Sequence, residues 1–175
     1  MQLIVKRVNQ TGFFMLEALV AILIFSLGIL GLVAMGSLAI NAQNDAQYRT
    51  EAANYASDIA AQILLGVDRI AVTSGTGNTT TVNPVTLATF SHYASAPAAA
   101  GTCAFGGGAS ANPVVTAWVN SITSGTHPLP GATAANLQIA INQAATGFNQ
   151  VTITVCWKAP SDLAMRQHTL ISYIN

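Results

Sequence analysis

From Ala18 to Ile40 the chain runs 23 consecutive residues without a charge, most of them Leu, Ile, Val, Ala or Met. At 1.5 Å per residue a helix of that length rises about 34 Å, and a bilayer's hydrocarbon core is about 30 Å thick. Such a segment spans a membrane or is buried, and everything else about the chain has to accommodate it. Lys6 and Arg7 are the only positive charges before Arg49. The positive-inside bias therefore keeps residues 1–12 in the cytoplasm and sends the remainder outward.

The rest of the 175 residues are enough for one domain of ordinary size. Charged residues make up only 7% of the chain, against roughly 25% in a typical soluble domain, so Ser, Thr, Asn and Gln must solvate its surface. Six Lys or Arg balance six Asp or Glu. There is no basic field to attract phosphates, and nucleic-acid contact has no electrostatic support. Cys103 and Cys156 are the two cysteines; in an exported chain an even count is usually one disulfide, with two free thiols as the alternative.

An ordinary secretory signal has a shorter apolar core ending in a small-residue cleavage site, and that reading leaves Glu17 unexplained. A carboxylate at the centre of a membrane helix costs about 2.5 to 3.5 kcal/mol, less at the edge, where Glu17 would simply sit at the interface. The surrounding residues GFFMLEALVAILIFSLGILGL, Gly12 to Leu32, resemble the class III signal of the type IV prepilins. A short leader with basic residues, Lys6 and Arg7, ends in Gly12; Phe13 follows; Glu17 stands five residues after the glycine; then comes the apolar stretch. The resemblance implies that a prepilin peptidase cuts between Gly12 and Phe13, methylates the new amine of Phe13, and leaves the apolar helix on the mature protein.

The chemistry has its own rationale. A glycine before the scissile bond leaves the backbone unshielded in a protease cleft. Cleavage would create a cation at Phe13, four residues from Glu17, within reach along one helix or between neighbouring subunits. Breaking one side of a buried ion pair costs about 3 to 5 kcal/mol, so Glu17 would penalise a subunit docked in the wrong register.

Beyond Ile40, Tyr48, Ala52, Tyr55, Ile59 and Ile63 keep a helical stripe. Asp45 and Arg49 form an i,i+4 pair, and Gly66 is a candidate C-cap. One continuous helix from Phe13 to about Leu65 is expected. Gly28, Gly31 and Gly36 would make bending inexpensive or permit close packing in lipid. Many pilins carry proline ten residues after the cleavage site; here the residue is Ile22, which removes the expectation of a kink there.

From Val72 to Asn112 the Thr-, Gly-, Ala- and Ser-rich sequence, including TSGTGNTTT, is expected to hold little regular structure. Asn112 and Pro113 make an N-cap and first-turn pair, and Val115, Trp118, Val119 and Ile122 follow at helical spacing, ending near Gly125. Leu137, Ile139 and Ile141, then Val151 to Trp157, then Thr169 to Ile174 read as three strands of an antiparallel meander. The fold class is α+β. Alternation turns Cys156 away from Val155 and Trp157, so a bond to Cys103 would tie the long loop to the far face of the sheet.

The order of long helix, irregular loop and antiparallel sheet is similar to the pilin fold. FSLGILGL, the helix containing AW, LPG at Leu129 to Gly131, and VTITVCW look like the PilV-type type IV pilus modification proteins. The organisation so implied is a leader at 1–12, a transmembrane and polymerisation helix at 13–40, its amphipathic continuation at 41–66, and an exported globular domain at 67–175. The implied partners are prepilin peptidase, major and minor pilins, the pilus assembly machinery of the inner membrane, and membrane lipid. The implied location is the inner membrane, single pass with a periplasmic domain, and then the pilus at the cell surface. A minor pseudopilin of type II secretion shares the signal and general fold, and a membrane-anchored adhesive module is a further alternative. His92, His127 and His168 have no metal-ligand spacing, Gly106 to Gly108 lacks the Lys and flanking elements of a phosphate loop, and Asp68, Arg69 and Asp162 read as solvated charges. An enzyme and a cofactor are not expected.

Overall fold

The computed structural model describes residues 13–74, 77–96, 102–144, 147–160 and 162–175. Helix α1 is a single element, Phe13–Gly66, and the chain divides into two compact units, one ending at Asn44 and the other running Asp45–Asn175. The first unit is the apolar part of α1. It continues through Gly28, Gly31 and Gly36, at none of which an added Cβ would meet a neighbour within 4 Å. The Ser26 hydroxyl is absorbed locally by the carbonyls of Ile22 and Leu23, both at 2.9 Å.

In the second unit the elements after α1 are strands β1 (Arg69–Ser74) and β2 (Gly77–Val82), helices α2 (Pro84–Ala88) and α3 (Pro113–Ser124), and strands β3 (Leu137–Asn142), β4 (Gln150–Trp157) and β5 (Arg166–Tyr173). β1 and β2 form a two-stranded antiparallel sheet, and β3, β4 and β5 an antiparallel sheet in sequence order. The meander expected from alternation is therefore present. So is α3, with the Asn112 side chain accepting from the Val114 N–H at 3.0 Å and Pro113 in the first turn.

The expectation of little regular structure between Val72 and Asn112 is corrected. TSGTGNTTT contributes most of β2 and the end of β1, because Val and Thr are β-branched and suit a pleated ladder. Asn83 and Pro84 repeat the cap signal of Asn112 and Pro113, with Asn83 Oδ1 accepting from the Val85 N–H at 3.0 Å, and they start α2. Gly66 ends α1 without a left-handed φ. Its missing side chain instead admits the Phe90 ring, 3.2 Å from where a Cβ would stand.

The core packs Ala52, Ala56, Ile59 and Ile63 of α1, Val115, Trp118 and Ile122 of α3, and the inner face of β3 and β4, all buried. Trp118 belongs to this core, and its indole Nε1–H donates to the Tyr55 carbonyl at 2.9 Å. The Tyr55 hydroxyl returns the link by donating to the His127 carbonyl at 2.9 Å. Burial and, secondarily, the Glu51 charge hold the Tyr55 phenol above its ordinary pKa, so it stays a donor. The LPG segment turns at Gly131, φ +66°, where a Cβ would lie 3.1 Å from the Lys158 Cβ and 3.2 Å from the Lys158 carbonyl. The Lys158 N–H donates to the Pro130 carbonyl at 2.8 Å, joining that turn to the end of β4.

Candidate functional site

In the first unit every large apolar side chain from Phe14 to Ile40 is exposed, from 45% at Ile29 to 82% at Phe14. Burying such side chains is worth about 1.5 to 3 kcal/mol each, so this surface is a site in its own right: it requires lipid or protein around it. One helix among the described residues is long and apolar enough to cross a membrane, and it is this one. Phe13 is its first residue. Lys6, Arg7 and Gly12 lie outside the described residues.

Glu17 is exposed one turn into α1. It lines a shallow apolar depression of about 490 Å³ with Leu16, Val20, Ala21 and Ile24. Among the described residues no side chain ion-pairs with it. A lone carboxylate amid apolar side chains suits a cationic partner arriving from outside the helix, since desolvating it unpaired is costly.

The second unit carries a charge cluster that periodicity only half reveals. Arg49 pairs with Asp45 at 3.0 Å as expected. Arg166, at the start of β5, reaches the same Asp45 at 2.5 Å. It also grips Asp162 with two donors, Nε to Oδ2 at 2.7 Å and Nη2 to Oδ1 at 2.8 Å. The Asp162 carboxyl is held below its usual range, first by the Arg166 hydrogen bonds and then by nearby cationic charge from Arg166 and Arg49. Asp162 is thus a clamp for the β4–β5 loop and not a solvated turn charge. Asp68 and Arg69 are also engaged: Asp68 accepts from the Thr86 hydroxyl at 2.9 Å and Arg69 donates to the Asn175 carbonyl at 2.8 Å.

Cys103 and Cys156 are joined as a disulfide, with Cα atoms 6.1 Å apart and a sequence separation of 53. With Phe105 they form a second buried cluster, against which Tyr93 and Met165 pack. Glu17 and the disulfide belong to different units.

His92 is buried at 3% exposure. Its Nδ1 accepts from the Ser110 N–H at 3.0 Å, which puts the ring proton on Nε2, 3.1 Å from the Ala134 carbonyl. Burial lowers its pKa, opposed in part by the Ala134 bond. It is a structural pin between β3, to which its backbone bridges at Ile139, and the segment before α3. Among the described residues no three His, Cys, Asp or Glu side chains group as a metal site.

No protein-family model, curated protein or solved structure matches this chain. The functional reading rests on the residues themselves.

Proposed function

We propose that this chain is a minor pilin, processed by a prepilin peptidase between Gly12 and Phe13 and taking part in type IV pilus assembly or modification. The observation that carries the proposal is the exposed apolar stretch of α1, beginning at Phe13, with Glu17 as its single charge before Asp45. A signal peptide discarded after export has no use for an acid at that position, whereas a retained helix that packs among copies of itself does. In a lipid-embedded bundle the Phe13 amine of one subunit neutralises the Glu17 carboxylate of another, and the apolar surface is covered by neighbours. The α+β unit from Asp45 to Asn175, closed by its own core and disulfide, is the part displayed outside the membrane.

N-terminal sequencing and mass spectrometry of the membrane form test the reading. The mature chain should begin at methylated Phe13, and Gly12→Leu should leave the precursor inserted but uncut. Glu17→Ala should be cleaved normally and yet be recovered from sheared pili at a level about two to four orders of magnitude lower, as expected from about 3 to 5 kcal/mol per broken buried pair. A chain cut beyond Ile40, or full recovery of Glu17→Ala in filaments, would refute it.

A further inference from the structure

From Ile70 to Trp157 the chain has no Asp, Glu, Lys or Arg, and His92 is buried within that uncharged stretch. The groups on its ring come from the same stretch. Nδ1 accepts the Ser110 N–H at 3.0 Å, Nε2 donates to the Ala134 carbonyl at 3.1 Å, and the Tyr93 ring stands edge-on with centroids 4.8 Å apart. Burial and the Ala134 bond set the pKa of the ring, and no charged side chain contributes. The ionisable group among these neighbours is the Tyr93 phenol, and a phenol is uncharged at neutral and acid pH.

A proton added at Nδ1 therefore does two things. It turns the acceptor of the Ser110 N–H into a second donor, so that two N–H groups face each other across 3.0 Å. It also creates a buried cation with no carboxylate to neutralise it. One side has to give way, and the two sides are not held alike. The His92 backbone exchanges both its hydrogen bonds with Ile139 of β3, at 3.0 and 2.9 Å. Across the ring, Gly107, Gly108, Ala109 and Ala111 are exposed, so no buried apolar side chain anchors them. Apart from the bond to the ring, the Gly108 carbonyl accepts from the Tyr93 N–H at 2.9 Å and the Ser110 hydroxyl donates to the Thr89 carbonyl at 2.8 Å. Upstream the loop is tied down independently, by the disulfide at Cys103 and by Asn136 Nδ2, which donates to the Cys103 carbonyl at 2.6 Å.

We propose that His92 is an acid-operated latch: protonation of its ring releases residues 107–111 from their seat at the start of α3, while the disulfide keeps the loop attached and the sheet stays folded. Burial holds the ring's pKa below its ordinary value, so the closed form is the neutral one and is lost as pH falls toward and past the folded value. The latch lies within the second unit and does not depend on what the first unit does. Amide hydrogen exchange followed by NMR on the full-length chain in detergent micelles tests it, with the His92 imidazole titrated in the same sample. The protection of the Ser110 amide, corrected for intrinsic exchange, should fall about tenfold per pH unit below about pH 6.5 and level off where His92 titrates. Urea up to about 1 M should hardly change that exchange, because a local opening exposes little surface, whereas the β4 amides of Ile153 and Val155 should exchange only through urea-dependent unfolding. In His92→Gln the pH dependence at Ser110 should disappear. Three results would each overturn the latch: protection at Ser110 that ignores pH, a urea dependence there equal to that of β4, or a protonated His92 ring with Ser110 still protected. A folded His92→Gln chain that keeps the pH dependence would overturn it as well. If that variant does not fold, the agreement in the wild-type chain between the levelling point at Ser110 and the His92 titration decides the matter.

Discussion

The disulfide should supply a large share of the exported unit's stability. Cross-linking Cys103 to Cys156 closes a loop of 53 positions, and chain-entropy bookkeeping assigns such a loop about 4 kcal/mol at 25 °C. A domain's whole stability is typically about 5 to 15 kcal/mol, so the loss would leave the fold marginal. Replacing both cysteines by alanine is the cleanest perturbation, because Cys103 and Cys156 sit in a small cluster of their own and the main core lies elsewhere. Urea unfolding in detergent can be followed through Trp118 and Trp157, both buried in the second unit. With a urea dependence of about 2 kcal/mol per M, the midpoint should fall by about 2 M. Reduced wild-type protein should behave like the double variant. A midpoint that moves by less than about 0.5 M would refute the reasoning, since the unfolded chain would then be gaining little freedom when the bond is cut.

Gly131→Ala should cost about 1 to 3 kcal/mol, because φ is +66° and the new methyl would press on Lys158; thermal unfolding of the same preparation would register it, and an unchanged midpoint would contradict the close approach. His92 makes the unit sensitive to mild acid. Its folded pKa lies below the ordinary 6.5, so between those two values the unfolded chain binds the proton that the native state refuses. Stability should fall as pH drops from about 6.5 toward the folded value and level off below it. That slope should vanish in His92→Gln when urea midpoints are measured across the range, and its persistence would exonerate His92.

Legibility from sequence tracked how local the cause was. α1, α3 and the β3–β4–β5 meander depend on periodicity and on neighbours in sequence, and they were readable to within a few residues. The β1–β2 pair and α2 escape a reading by composition, because Thr-rich sequence between glycines resembles loop, although Asn83–Pro84 carries the same start signal as Asn112–Pro113. The Arg166 clamp lay beyond reach for a different reason. Its two carboxylates are at Asp162, four residues before it, and at Asp45, far away in sequence, and no spacing rule announces a contact made only by folding. The burial of His92 leaves no local trace in sequence either, since the segments that cover it come from elsewhere in the chain. The apolar stretch of α1 is legible because membranes act on sequence directly.

The ion pairs among the described residues meet at one corner, where Arg49, Asp45, Arg166 and Asp162 share charge. Elsewhere the described exterior is dissolved mostly by hydroxyls and amides, with only scattered unpaired charges such as Asp58 and Lys158, whereas exposed charge pairs are screened over about 8 to 10 Å. Brine would thus turn a single screw on this molecule, slackening the strap between the root of the stalk and the last hairpin while the remainder stays indifferent.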